Sequence, residues 1–239
     1  MKRKERKLIL ALDTGDRQRV NDLVKLLYPR VDYFKVGLEL FTSFGPEIVS
    51  QLKHQGCKVF VDLKLHDIPN TVGRAAVSLA KMGVDMLNIH LSGGIGMSRA
   101  AVEEVRHYAA EQGVAAPLII GVTVLTSTGM TDYSSMGYTD TLERRVVRLA
   151  QMGKEAGLDG VVASPREAQS IRAACGPDFV LVTPGIRPLW AAKNDQQRIT
   201  TPKEALDLGA DYLVVGRPIT AAQDPLSAAE KILAEMEGE

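Results

Sequence analysis

Aromatic side chains are scarce, at 5% of the 239 residues with a single tryptophan. That removes the stacked rings on which single-stranded nucleic acids are usually held. Neither sign of charge prevails, because 29 basic side chains meet 29 acidic ones. No global field therefore draws in nucleic acid or an anionic membrane. Cysteine is limited to Cys57 and Cys175, far apart and in no Cys-x-x-Cys pattern. Two reduced, buried thiols suit a cytoplasmic protein. Long hydrophobic runs are missing too. After the basic segment 1–7, the apolar run Leu8–Leu12 stops at Asp13. A secretory core needs ~7–15 apolar residues and a membrane helix ~20. The expectation is a cytoplasmic chain, bound to neither membrane nor nucleic acid, with residues 1–7 as a solvated basic tail.

Several catalytic signatures are also absent. His54, His66, His90 and His107 form no His-x-His or His-Glu-x-x-His pair, and no Gly-x-Gly-x-x-Gly turn follows the first apolar strand. No serine or cysteine sits in a nucleophile elbow. Metal, dinucleotide and elbow-type nucleophile chemistry find little support. What remains is charge.

What is present is a regular alternation of short apolar runs and amphipathic segments. Strands are expected at Leu8–Asp13, Tyr33–Val36, Lys58–Lys64, Met86–His90, Leu118–Val124, Gly160–Ala163, Phe179–Thr183 and Tyr212–Val215. Helices such as Arg17–Leu27, Pro46–Gln55, Val72–Met82, Ser98–Glu111 and Leu142–Ala156 lie between them. The spacing is about 30 residues per unit, the size of a βα repeat. Gly83-Val84-Asp85, Gly157-Leu158-Asp159 and Gly209-Ala210-Asp211 each end a helix and open a strand. Ser164-Pro165-Arg166-Glu167 and Thr201-Pro202-Lys203-Glu204 read as N-caps with proline in the first turn and a capping-box glutamate. No composition break marks a linker. The pattern predicts a single (β/α)8-barrel (TIM-barrel) domain over residues 1–239, with an open doubly wound sheet as the alternative. Segments 126–138 and 187–201 are longer than the connections around them and are expected to be lids or binding loops.

In such a barrel, function collects where strands end and βα loops begin. The stretch Lys58-Val59-Phe60-Val61-Asp62-Leu63-Lys64 puts Val59, Val61 and Leu63 on one face and Phe60, Asp62 and Lys64 on the other. Charges on a buried face cost several kcal/mol unless paired. The plain alternative, a structural ion pair, explains one such strand. It explains less well a series of them: Asp13 ends the first strand, Lys35 the second, Asp62 and Lys64 the third with Asp67 just beyond, and His90 the fourth. The last two strands end differently, in Pro184-Gly185-Ile186-Arg187 and Gly216-Arg217-Pro218. Glycine lets backbone N–H groups approach an anion and arginine offers a bidentate fork, so a phosphate site is expected there.

Asp62-Leu63-Lys64-Leu65-His66-Asp67-Ile68-Pro69-Asn70-Thr71 resembles the signature of the orotidine 5'-phosphate decarboxylase family. Phe34-Lys35-Val36-Gly37, Val124-Leu125-Thr126-Ser127, Val182-Thr183-Pro184-Gly185-Ile186-Arg187 and Val215-Gly216-Arg217 match in the family's order. The resemblance covers about Leu8 to Ala228. It implies decarboxylation of orotidine 5'-monophosphate to uridine 5'-monophosphate (UMP), the last step of UMP synthesis, without metal or organic cofactor. It also implies roles. Lys64 would protonate C6 of the pyrimidine, and Asp62 would lie against the departing carboxylate. Lys35 and Asp67 would complete an alternating charged network. Asp67 and Ile68 would reach across a homodimer interface into the partner's site. Asp13 and Thr71 would hold the ribose, Thr126 the edge of the base, and Gln196 the base and phosphate. Arg187, Gly216 and Arg217 would bind the phosphate. Magnesium-dependent sugar-phosphate decarboxylases and synthases of the same barrel share the Asp-x-Lys-x-x-Asp pattern. They are expected to carry an acidic metal ligand near the end of the second strand, where Lys35 stands. A catalytically silent nucleotide-binding or scaffold barrel is a further alternative, and losing Asp62 or Lys64 would be its cheapest sign.

Overall fold

Short strands that are apolar on both faces are stable only when both faces are covered. A computed structural model of the chain describes residues 7–191 and 200–238. It closes the strands into one parallel barrel in sequence order, β1-β2-β3-β4-β5-β6-β7-β8. These are β1 (Lys7–Ala11), β2 (Tyr33–Gly37), β3 (Lys58–Leu65), β4 (Met86–His90), β5 (Leu118–Val122), β6 (Gly160–Val162), β7 (Val180–Thr183) and β8 (Tyr212–Val215). The pairing of β1 with β8, from Lys7 opposite Tyr212 to Leu10 opposite Val215, removes the open-sheet alternative. Most of the basic tail lies outside the described residues.

The strand period sorts the core into two layers. Ile9, Ala11, Tyr33, Phe60, Met86, Ile120, Val182 and Val214 fill the barrel interior. Their chain neighbours Leu8, Leu10, Phe34, Val36, Val59, Val61, Leu87, Ile119, Leu181 and Leu213 face outward into a second, larger core beneath the helices. At ~25 cal/mol per Å² of apolar surface, this outer layer is the main stabilising store. The helices over it are α1 (Arg17–Leu27), α2 (Leu38–Phe44), α3 (Glu47–His54), α4 (Pro69–Lys81), α5 (Gly94–Gln112), α6 (Met130–Ser135), α7 (Leu142–Glu155), α8 (Ala168–Cys175), α9 (Pro202–Asp207), α10 (Arg217–Thr220) and α11 (Pro225–Glu237). Among the described residues, no helix is long and apolar enough to cross a membrane.

The Gly-x-Asp punctuation proves to be a repeated clamp at the barrel's N-terminal rim. Gly83, Gly157 and Gly209 take φ of 70°, 89° and 111°, closing the preceding helix in a conformation glycine adopts without strain. The aspartate two residues on then bonds the strand before it twice. The amides of Asp85, Asp159 and Asp211 donate to the carbonyls of Val59, Ile119 and Leu181 at 2.9, 3.1 and 3.0 Å. Their carboxylates accept from the amides of the same three residues at 2.7, 2.8 and 2.8 Å. Each is also paired with a cation, Lys53 at 2.6 Å, Arg106 at 3.5 Å and Arg172 at 2.6 Å. The carbonyl of Asp211 accepts from Lys7 of β1, so the third clamp also helps to close the ring.

Two elements depart from expectation. α2 follows β2 directly, and only Leu40 of its seven residues is buried, so the sequence shows no amphipathic stripe. The segment 126–138 is not irregular throughout but contains α6, pinned by the fully buried Tyr133. Elsewhere the capping signals hold. Thr201 and Glu204 form a capping box at α9, Asp224 caps α11, and Ser164 opens a 3-10 turn at Pro165–Glu167.

The third clamp is the most buried, with Asp211 7% exposed. Asp211→Ala removes an acceptor from the Leu181 amide and a partner from Arg172, and is expected to cost about 3 kcal/mol in urea unfolding. Asp207→Ala, which breaks the exposed Lys203–Asp207 pair, should cost less than ~1 kcal/mol. Equal costs would show that the clamp adds nothing.

Candidate active site

A cavity of about 530 Å³ opens at the carboxyl ends of the strands, within the ~300–1,000 Å³ of small-molecule sites. Its floor is the top of the interior core, Ala11, Phe60, Val122, Val162, Val182 and Val214. Polar groups form two adjoining arcs that meet where β1 pairs with β8. Asp13, Lys35, Asp62 and Lys64 come from β1–β3, and Gly185, Arg187, Gly216 and Arg217 from the turns after β7 and β8.

Along the first arc the charges alternate in a chain. Lys35 Nζ lies 2.9 Å from Asp13 Oδ1 and 3.3 Å from Asp62 Oδ2. Asp62 Oδ1 in turn lies 2.7 Å from Lys64 Nζ. The side chains of Lys35 and Asp62 are 9% and 13% exposed, so their mutual pairing is what makes burial tolerable. Burial alone would lower the Lys35 pKa, but Asp62 and then Asp13 override it and hold it above the ordinary lysine value. Burial likewise opposes ionised Asp62, and Lys35 and Lys64 outweigh it, keeping the carboxyl below its ordinary value. Gly37 is part of this arrangement. A Cβ there would lie 2.9 Å from Lys35 Nζ and 3.0 Å from Asp13 Oδ1, so a side chain at this position would press on the pair.

Lys64 is held in an unusual way. It has φ of 52°, the left-handed region that lysine rarely adopts, and the β3–β4 register shifts between Val61 and Leu65. The alternation expected for β3 therefore ends at Asp62, and an irregularity aims Lys64 into the cavity. Asn88, in the middle of β4, supports both residues. Its Oδ1 accepts from the Lys64 amide at 2.8 Å and its Nδ2 donates to Asp62 Oδ1 at 2.7 Å. Sequence reasoning passed over Asn88. Its one signal was a polar residue on the inward face of the apolar run Met86–His90.

Along the second arc, the turn after β7 is pinned by the Arg187 amide donating to the Thr200 carbonyl at 3.1 Å, and Gly185 takes φ of 79°. Thr126 lines the wall outside the two arcs, with Val124 and Leu125 beside it. Leu38 and Glu39 of α2 line the wall as well and were not foreseen.

Other expected residues lie elsewhere. Asp67, Ile68 and Thr71 are exposed and outside the cavity lining, and Asp67 Oδ1 caps its own neighbour, the Ile68 amide, at 2.6 Å. Gln196 lies outside the described residues. His90 turns away to Ser92, 2.7 Å from its Nδ1, and stacks on His66 with centroids 5.5 Å apart. Burial, His66 and Lys64 hold its pKa below the ordinary histidine value. His54 and His107 are exposed on helices, as their positions suggest.

Fold and site together define a (β/α)8 barrel whose mouth sets a Lys/Asp array beside a glycine–arginine rim. Comparison with known proteins narrows the class. Residues 6–232 match the model of the Orotidine 5'-phosphate decarboxylase / HUMPS family. An orotidine 5'-phosphate decarboxylase of Syntrophomonas wolfei is 52% identical over 235 residues, 98% of either chain. One of Moorella thermoacetica is 53% identical over 232 residues, 97% of this chain and 92% of its own. The crystal structure of orotidine 5'-phosphate decarboxylase from Lactobacillus acidophilus matches with a TM-score of 0.86 at 38% identity, covering 97% of this chain and 99% of that one. The chain belongs to the orotidine 5'-phosphate decarboxylase / HUMPS family.

The array yields a pH-dependent stability. Asp62 has a folded pKa below its unfolded value of ~3.9, so its contribution is present above that value and lost as pH falls through the folded one. Lys35→Ala, which removes its nearest opposing charge on β2, is expected to cost roughly 2–3 kcal/mol at pH 7. The gap to wild type should close as pH drops below ~4. Denaturant unfolding at pH 7 and pH 2.5 measures it, and a gap unchanged between the two would contradict the pairing.

Proposed function

We propose that the chain converts orotidine 5'-monophosphate to UMP and carbon dioxide, with Lys64 as the proton donor and no metal or organic cofactor. The observation that carries the reading is the Lys64–Asp62–Lys35–Asp13 chain lining one cavity with Arg187, Gly216 and Arg217. Family membership and relatives carrying that enzyme's name across nearly their whole length support it. The phosphate goes to the glycine–arginine rim, where backbone N–H groups and guanidinium forks suit a dianion. Asp13, together with Thr71 of a second copy, holds the ribose, Thr126 the edge of the base, and Gln196 the base and phosphate. The pyrimidine carboxylate then lies against Asp62. The bond from C6 to the carboxyl carbon breaks, its electron pair stays on C6, and the Lys64 ammonium supplies the proton.

Magnitudes decide what drives the step. Two carboxylates ~4 Å apart repel by about 4 kcal/mol at an effective dielectric of ~20, or roughly three powers of ten in rate. Difficult reactions require ~8–23 kcal/mol of barrier lowering. Repulsion by Asp62 is therefore the smaller part. The larger part is a fixed cation, Lys64, where negative charge develops on the ring carbon. Lys35 argues against the magnesium-dependent relatives, because it places an ammonium between Asp13 and Asp62 where a metal site needs an acid.

The same reading makes the protein a cytoplasmic homodimer with shared sites. Within the chain the alternation stops at Lys64, while Lys35 and Asp62 each meet two opposite charges. Asp67 and Ile68 of a second copy would supply the next acid and an apolar cover. Ile68, 64% exposed in the single chain, is a side chain that such an interface would bury.

Purified protein treated with EDTA should convert orotidine 5'-monophosphate to UMP with loss of the substrate's ultraviolet band. Lys64→Ala should lower turnover by ~10²–10⁴-fold or more while largely sparing UMP affinity. Dependence on added magnesium, or near-normal turnover by that variant, would sink the reading. Sharing has its own measurement: mixed Asp67→Asn and Lys64→Ala subunits should regain part of the activity that each lacks alone. Strictly no recovery, with a dimer confirmed by sedimentation, would place Asp67 in its own subunit's site.

A further inference from the structure

We infer that Asn88 is a positioning residue for this reaction, fixing the Lys64 backbone and the Asp62 carboxylate with one side-chain amide. The inference rests on the decarboxylase reading and adds a residue to it. Asn88 is 1% exposed, so both ends of its amide must be satisfied inside the protein. Its orientation is unambiguous. A backbone N–H can only donate, and an ionised carboxylate can only accept. The Lys64 amide at 2.8 Å therefore requires Oδ1 on its side, and Asp62 Oδ1 at 2.7 Å requires Nδ2 on the other.

Each contact answers a specific difficulty. Lys64 sits at φ 52° in the register shift of β3, a conformation that costs of order 1–3 kcal/mol unless its surroundings enforce it. A hydrogen bond from its own amide to a buried partner on β4 is such an enforcement. Asp62 faces the other difficulty. Its Oδ1 is shared by Lys64 Nζ and Asn88 Nδ2, both at 2.7 Å. When the Lys64 ammonium moves toward the ring carbon, that oxygen loses a donor at the moment it opposes a second carboxylate. Asn88 is the donor that stays. It keeps the carboxylate ionised and aimed while the lysine is engaged. Asn88 touches neither cavity nor substrate, being absent from the cavity lining, so its effect passes through the two residues it holds.

The test compares Asn88→Ala and Asn88→Asp with wild type in turnover, UMP affinity and hydrogen exchange of the Lys64 amide. The alanine variant should lose ~10²-fold in kcat, the scale of a misplacement near 1 Å, with UMP affinity changed far less. Its Lys64 amide should exchange at least tenfold faster. The aspartate variant keeps the acceptor for Lys64 but replaces the donor to Asp62 with a second carboxylate. The charged groups around it are Asp62 and Lys64 on β3 and Lys35 on β2, with the His66–His90 stack beyond. Like charges at that distance raise one pKa, so a proton is shared at low pH and the donor returns. Its activity relative to wild type should therefore rise as pH falls from ~7 toward ~5. The inference is overturned if Asn88→Ala keeps kcat within threefold of wild type, or if kcat and UMP affinity fall together with Lys64 exchange unchanged. If the aspartate variant does not fold, the alanine variant decides alone. Wild type inactive on orotidine 5'-monophosphate would instead sink the functional reading, and the Lys64 exchange result would still report on the clamp.

Discussion

Burying Asp62 is the constraint around which the barrel mouth is built. An ionised carboxylate at 13% exposure is unaffordable alone, and its two oxygens are met by Lys35, Lys64 and Asn88. Every local oddity nearby follows from that demand. Gly37 leaves the Lys35–Asp13 pair undisturbed, since a Cβ there would press on both charged ends. Lys64 is left-handed because a regular strand would not bring its amide to Asn88 and its ammonium to Asp62 together. The charges cancel within the cluster, so the cost of the array falls on geometry more than on net charge.

The two ends of the barrel divide the labour. At the N-terminal rim, Asp85, Asp159 and Asp211 each bond the preceding strand through both amide and carboxylate, and the cations beside them are ordinary structural partners. At the C-terminal rim the same residue types are arranged side by side around a cavity instead of being bound to backbone. Aspartate and lysine are thus bound to backbone at one rim and gathered around a cavity at the other, the end where this architecture places its active sites. The clamps also explain why the mouth tolerates a register shift in β3. Val59, at the start of that strand, is held twice by Asp85, so the irregularity near Lys64 does not propagate downward.

Much of this was legible in the residue order, and the reasons are physical. Period-two alternation placed Asp62 on the face of Phe60, and Phe60 is indeed an interior residue. Gly-x-Asp marked the helix-to-strand joints because both residue types have restricted uses there. Closure was predicted from eight repeating units but strand count alone does not prove it, and the proof is the pairing of β1 with β8, residues some two hundred positions apart. Asn88 was missed because one amide in an apolar strand gives no period to detect. The left-handed Lys64 was missed because lysine carries no propensity for it. α2 escaped because one buried leucine makes no stripe. Asp67, Ile68 and Thr71 carry a different lesson. Their sequence neighbourhood looks like one motif with Asp62 and Lys64, yet the turn after β3 takes them outside their own cavity.

That separation bears on how the proposed reaction is driven. Interactions that accelerate a step must be stronger in the transition state than in the ground state. The glycine–arginine rim cannot discriminate between them, because the phosphate it would hold is unchanged during decarboxylation. Its contribution in that proposal would be binding energy that offsets bringing a carboxylate against Asp62. In the proposed reaction the Lys/Asp array is the part whose interactions would change, from repulsion before carbon dioxide leaves to attraction between Lys64 and a carbanion afterwards. The two functions need opposite qualities, a strong grip on one side and a rigid, pre-aimed array on the other. A barrel supplies both, because β2–β3 and β7–β8 flank β1 in one closed sheet and share the same interior core.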